Sequence, residues 1–212
     1  MVEEALVERG LAAETLLDVG AGAGGLFPWV QKHVGRYVGA DIVRYQSFPD
    51  AVEFVAIDLD SGRLPFADSS VPVVTCLETI EHVENPRALL REIARVTAPG
   101  GWMFVTTPNQ LSLASKLCLV FRDEFLHFQE RPGLYPAHIS ALLEVDLRRM
   151  AQELGLVDVQ IAYTGRGRVP FSSEKWPAWL SKTRGRRARL FSDNVLLAAR
   201  KPEAPSLGHD ER

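Results

Sequence analysis

Asp18 stands at the end of an apolar run, Leu16-Leu17-Asp18-Val19, directly ahead of Gly20-Ala21-Gly22-Ala23-Gly24-Gly25. Glycines in this pattern let the backbone turn sharply and leave no Cβ where a ligand must come close. Residues 26–33 read as a helix whose first N–H groups face that ligand. A buried strand, a tight glycine turn and a helix form the front edge of a nucleotide-type site. Gly20, Gly22 and Gly25 also fit the dinucleotide fingerprint, so a nicotinamide-dependent oxidoreductase stays open, as does a bend that only reverses the chain. Asp18 weighs against a pyrophosphate, which it would repel. A carboxylate there can accept hydrogen bonds, through ordered water, from an ammonium group.

Asp41 follows the glycine turn by about 20 residues, the spacing at which an acid meets a ribose in such folds. A strand-end aspartate that caps a turn is the plainer alternative. Next to it, the apolar Ile42 can lie against one face of a base. A second cluster is Glu78-x-x-Glu81-His82. On a first helical turn Glu78 and Glu81 share a face, with His82 one turn from Glu78. Carboxylate oxygens with an imidazole suit magnesium or manganese, and His82 alone suits a general base. His127 and His138 are further imidazoles that could serve as base or ligand, although His138 could equally help start the helix after it. Lys182, Arg184, Arg186, Arg187 and Arg189 make a basic run, read either as an anion site or as a solvated flap. Trp176 and Trp179 could pin the same stretch to the domain or stack on a ligand.

These groups need a scaffold, and the apolar runs supply one. Strands are expected at about 15–20, 36–41, 52–57, 71–76, 102–107, 157–163 and 193–200. Helices are expected at 2–9, from 26 to near Gly35, from Pro86 up to Pro99-Gly100-Gly101, at 111–120 and at 140–154. Asp60 reads as a solvated loop charge. Residues 165–190 form a polar insertion, and 201–212 read as a disordered tail. With 212 residues, 46% of them hydrophobic, the chain suits a single α/β domain at 1–200 with one core. The net charge of −3 gives no general attraction to nucleic acid or anionic membrane. No apolar run approaches membrane-span length, and the acidic N-terminus lacks signal-peptide order. Cys76 and Cys118, with no short spacing, point to a reducing cytoplasmic setting and no zinc site.

The segment from Asp18 to Gly24 resembles motif I of the class I S-adenosylmethionine-dependent methyltransferases, acidic-x-Gly-x-Gly-x-Gly. Leu64-Pro65-Phe66, the Pro99-Gly100-Gly101 turn and Thr107-Pro108-Asn109 resemble later segments of that family, in order. The resemblance implies a doubly wound, Rossmann-like sheet of seven strands in the order 3-2-1-4-5-7-6, the seventh antiparallel. It implies S-adenosyl-L-methionine as cofactor. Asp18, Gly20, Ala21, Gly22 and Gly24 would hold the methionine side, Asp41 the ribose, Asp58 the adenine amino group, Ile42 and Leu59 the ring faces, and Leu77 the sulfonium end. Glu78-x-x-Glu81-His82 is similar to a segment of the ubiquinone-biosynthesis O-methyltransferases and small-RNA terminal methyltransferases, where it binds a divalent metal. In metal-free relatives the Glu-His pair tethers loops. A metal is therefore allowed but not favoured, and His82 and His138 are the catalytic candidates. The expected reaction moves a methyl group to a small-molecule acceptor, at oxygen in the first instance. A silent cofactor-binding partner subunit is the alternative, and a nucleic-acid methyltransferase is less favoured. The acceptor pocket is expected in 110–138, with 165–190 as its lid.

Overall fold

The computed structural model describes residues 2–10, 13–60, 63–129, 137–181 and 186–203. Seven strands form one sheet: β1 (Ala13–Val19), β2 (Val34–Asp41), β3 (Glu53–Ala56), β4 (Val71–Leu77), β5 (Thr97–Pro108), β6 (Val157–Thr164) and β7 (Asn194–Arg200). Their order is β3-β2-β1-β4-β5-β7-β6, as expected, and β7 runs antiparallel to both neighbours. The chain reverses direction across the sheet beside β1, between β2 and β4. In a parallel sheet that switch point opens a crevice at the carboxyl ends of the strands.

Alternation along β1 sorts its side chains onto two cores. Leu17 and Val19 face one layer with Val38, Val74, Cys76 and Met103; Leu16 faces the other with Tyr37, Val73 and Phe104. The first layer is closed by α3 (Pro86–Val96) and α5 (Glu144–Glu153), through Leu89, Leu90, Ile93, Leu147 and Met150. The second is closed by α1 (Val2–Glu8), α2 (Phe27–Val30) and Phe48. Asn85 caps α3, its side-chain oxygen accepting from the Ala88 N–H at 3.0 Å. Gly155, at φ +63°, follows α5 and ends it. Three further helices stand past the sheet's centre: α4 (Leu113–Arg122), α6 (Ala178–Ser181) and α7 (Arg186–Phe191).

Leu90 is fully buried between α3 and the sheet. Its replacement by alanine is expected to lower unfolding stability by about 2–5 kcal/mol, read by urea denaturation. A loss below about 1 kcal/mol would mean that α3 does not close this layer.

Two local expectations change. The helix expected over 26–33 is a single turn, Phe27–Val30, and turns rather than helix continue to His33. Gly35 therefore lies inside β2, where an added Cβ would stand 3.0 Å from the Glu14 carbonyl oxygen. The Pro99-Gly100-Gly101 stretch does not end a helix but runs within β5, inside the register shift between the Val71–Thr97 and Val73–Trp102 pairs. Residues 204–212 of the tail and 182–185 of the basic run lie outside the described residues.

Candidate active site

The crevice predicted by the topology is a cleft of about 480 Å³. Its floor is Gly20 and Gly22, one wall Asp41, Ile42, Val43 and Tyr45, and the other Glu78, Thr79 and His82, with Asp58, Leu59 and Asp60 closing the end. Residues far apart in the chain meet here because β1, β2 and β4 are adjacent parallel strands that all end at this edge.

The glycines do three different things. Gly20, at φ +74°, has no room for a side chain: an added Cβ would lie 2.1 Å from the Thr79 hydroxyl oxygen. Gly24, at φ +75°, would press on Pro49 at 2.8 Å, so it serves packing against the 48–49 turn, and Ala21 is buried beside it. Gly22, at φ +52°, has nothing within 4 Å of the position a Cβ would take. Here the missing side chain leaves open space on the cleft floor.

Asp41 closes the loop over that floor. One carboxylate oxygen accepts from the Gly22 N–H at 2.8 Å and the other from the Ile42 N–H at 2.7 Å. Each oxygen keeps a second lone pair for a ligand hydroxyl. Asp60 is more than a solvated charge: it accepts from the Glu84 N–H at 2.6 Å and donates its own N–H to Asp58 at 3.0 Å, tying the β3 loop to the β4 loop.

Asp18 lies beneath the bend, and its carboxylate bridges three strands. It accepts from the Thr75 hydroxyl of β4 at 2.7 Å and from the Tyr37 hydroxyl of β2. Burial pushes its pKa up to about 6, against the opposing hydrogen bonds of Tyr37 and Thr75. Leu77 likewise turns into the core layer with Leu16 and Phe104, while its neighbours Glu78 and Thr79 line the cleft.

The opposite wall carries the titratable cluster. Glu81 and His82 sit on a short 3₁₀ turn (Ile80–His82), not an α-helix, and Glu78 precedes it at φ +51°. This separates Glu78 from the other two. The 137–140 segment is strapped onto the turn: the Glu81 carbonyl accepts from Ile139 and Ser140 N–H groups at 2.9 and 3.0 Å, and the Val83 carbonyl from the Ser140 hydroxyl at 3.1 Å. His82 Nδ1 donates to the Ala137 carbonyl at 2.9 Å, which in the neutral ring leaves Nε2 with the lone pair. The strap brings His138 over the turn, its ring centroid 4.6 Å from that of His82 and its Nε2 3.9 Å from Glu81. His138 thus stands well before α5 and does not start it.

Glu81 is fully buried, and burial followed by the charge of Glu78 pushes its pKa up to about 8. Burial raises Glu78 to about 7. Burial lowers His138, and the neighbouring His82 lowers it further. His127 is also held down by burial, opposed by Asp193 and reinforced by Arg168 and His138. Ligand atoms of Glu81, His82 and His138 all lie within 4.8 Å of one another, a set that can hold a metal ion. Local spacing finds Glu81 and His82, but only the fold supplies His138.

A family model described as a methyltransferase domain matches residues 3–161. The chain belongs to this methyltransferase family. Among similar proteins, the chain is 28% identical over 159 residues to the ubiquinone biosynthesis O-methyltransferase of Aeromonas salmonicida, covering 70% of this chain and 65% of that one. It is 31% identical over 158 residues to the corresponding enzyme of Thiobacillus denitrificans, covering 69% and 66%. The match thus spans just under two thirds of these relatives' length. A SAM-dependent methyltransferase structure from Archaeoglobus fulgidus superposes with TM-score 0.66 at 18% identity, over 94% of this chain and 93% of that one, which shows the fold. Among the described residues no helix of the chain is long and apolar enough to cross a membrane.

Proposed function

We propose that the chain transfers a methyl group from S-adenosyl-L-methionine to an oxygen of a small-molecule acceptor. The observation that carries this is the single cleft joining Gly22 and Asp41 on one side to His82 on the other. The residues fit the cofactor. Gly22 leaves open floor where a Cβ would intrude, and Asp41 is held with lone pairs available for ribose hydroxyls. Asp58 stands at the adenine end, with Ile42 and Leu59 as apolar walls. Asp18 acts by holding β1, β2 and β4 together under the bend. When bound, the cofactor supplies an electrophilic methyl group whose thioether leaves without needing a proton.

The protein's part is to position the acceptor, exclude water and take the acceptor's proton. His82 Nε2 suits the last task, because the Ala137 carbonyl fixes the tautomer. Residues 165–190 are read as the cover of the acceptor side. Their C-terminal end is tied to the end of β5 by the Asn109 amide, which donates to the Arg189 carbonyl at 2.7 Å and to that of Ser192 just beyond at 3.0 Å. The Glu81, His82 and His138 set supports a second reading in place of the base, a divalent cation that would take the His82 Nε2 lone pair and make an acceptor hydroxyl more acidic.

Labelled S-adenosylmethionine, incubated with the chain and fractionated small molecules, tests the proposal. Label is expected in a small organic product as an O-methyl group. Label in no product, with the cofactor bound, would favour the silent partner subunit. Loss of transfer with a chelator, restored by magnesium or manganese, would support the cation.

A further inference from the structure

Between α4 and the hairpin that follows β6 lies a second concavity, of about 290 Å³. Its floor is apolar, formed by Ala114, Cys118, Leu126 and Val169. Its rim carries two guanidinium groups, Arg122 from the last turn of α4 and Arg168 from the hairpin. Among the described residues neither has a carboxylate partner, although most arginines here with structural roles are paired, as Arg36, Arg87, Arg95 and Arg148 are. Ser172 and Ser173 line the same space, the Ser172 hydroxyl oxygen accepting from the Glu174 N–H at 3.0 Å. The hairpin is built to hold this shape. Arg168 bridges Lys175, the Val169 N–H donates to Glu174 at 2.9 Å, and Phe171 is held at φ +58°. A non-glycine residue in that region is strained, and such strain gathers at ligand clamps. The Phe171 ring meets Phe121 edge-on at 6.0 Å across the rim.

We infer that this groove binds an amphipathic anion, an apolar body ending in a carboxylate or phosphate, and that it is the anchoring end of the methyl acceptor's site. The second half rests on the reading under Proposed function. Two guanidinium forks beside hydroxyl donors match the planar oxygens of either anion, and the apolar floor takes the body. The groove also points toward the chemistry. Leu126 lines it, and the next residue, His127, has its ring centroid 6.5 Å from that of His138. His138 in turn lies 4.6 Å from His82, on the cofactor cleft. Three imidazoles, His127, His138 and His82, thus lie in sequence between the groove and the cleft, with His127 near enough to Arg168 to feel its charge, and an anion seated at the arginines sets the distance at which the rest of the molecule reaches His82.

The test uses the whole chain, the variants Arg122→Ala/Arg168→Ala and Arg122→Lys/Arg168→Lys, and three probes: benzoate, phenyl phosphate and inorganic phosphate. By calorimetry the wild type is expected to bind benzoate or phenyl phosphate roughly tenfold more tightly than inorganic phosphate. The double alanine variant is expected to lose about tenfold or more of that affinity, and the lysine variant to recover part. Which of the two aromatic probes binds better separates carboxylate from phosphate. Affinity for S-adenosylhomocysteine, unchanged in both variants, reports that the cleft is intact. In turnover, KM for 3,4-dihydroxybenzoate is expected to rise about tenfold in the alanine variant with kcat little changed, and KM for catechol to stay put. Equal probe binding by wild type and alanine variant overturns the groove. Probe binding lost in the variant, with no methyl transfer to any diphenol by the wild type, upholds the groove and counts against oxygen transfer.

Discussion

Gly20→Ala is expected to lose S-adenosylhomocysteine affinity by about a hundredfold or more, measured by calorimetry on protein that still melts cooperatively. Two effects add. The alanine must adopt φ +74°, which costs about 1–2 kcal/mol for an L-residue. Its Cβ would also fall 2.1 Å from the hydroxyl oxygen and 2.3 Å from the methyl carbon of Thr79. Thr79 cannot swing aside without breaking its donation to the Leu77 carbonyl at 3.0 Å, and it lines the cleft itself. Either the bend rises into the cofactor's space or the β4 loop moves out of it. Gly20→Ala/Thr79→Gly is expected to recover most of the affinity, since only the φ strain remains. Normal binding by Gly20→Ala alone would mean that the cofactor does not depend on the bend.

That pairing of Gly20 with Thr79 shows where local sequence stops being informative. The apolar runs, the glycine bend and the spacing to Asp41 were all readable, because strand burial and turn chemistry are local properties. Asp41 accordingly sits on the cleft with Gly22 bonded to it. The partners of Asp18 were not readable, because Tyr37 and Thr75 stand 19 and 57 positions away. They are brought alongside only by the parallel pairing of β1 with β2 and β4. Asp60 looked like a solvated charge for the same reason: the N–H it accepts from belongs to Glu84, 24 positions on. His138 is the clearest case. Its place over Glu81 and His82 depends on backbone hydrogen bonds from Ile139 and Ser140 to Glu81, which no side-chain pattern announces.

Those bonds set up the second large effect. His82→Ala is expected to lower kcat by about 10²–10⁴-fold while leaving S-adenosylhomocysteine affinity within about threefold. The ring lines the cleft with its Nε2 lone pair available, and its removal leaves Asp41 and the glycine floor untouched. A kcat unchanged by the substitution would remove His82 as the base and leave positioning alone to the protein. Glu81→Gln separates the chemical role of this cluster from its electrostatic one. The Glu81 carboxyl titrates near 8 and Glu78 near 7 in the folded chain, whereas an unfolded glutamate titrates near 4.3. Between those values the folded state holds more protons than the unfolded one, so stability is greatest below about pH 4–5 as far as these two groups are concerned and falls as pH rises toward 8. Replacing Glu81 with neutral glutamine removes its share of the fall and leaves that of Glu78, which burial and Asp193 raise. The urea midpoint of the variant is therefore expected to change less between pH 5.5 and 8.5 than that of the wild type. Parallel midpoint curves for the two proteins would show that Glu81 is ionised in the fold across that range, already balanced by a cation or by its histidine neighbours.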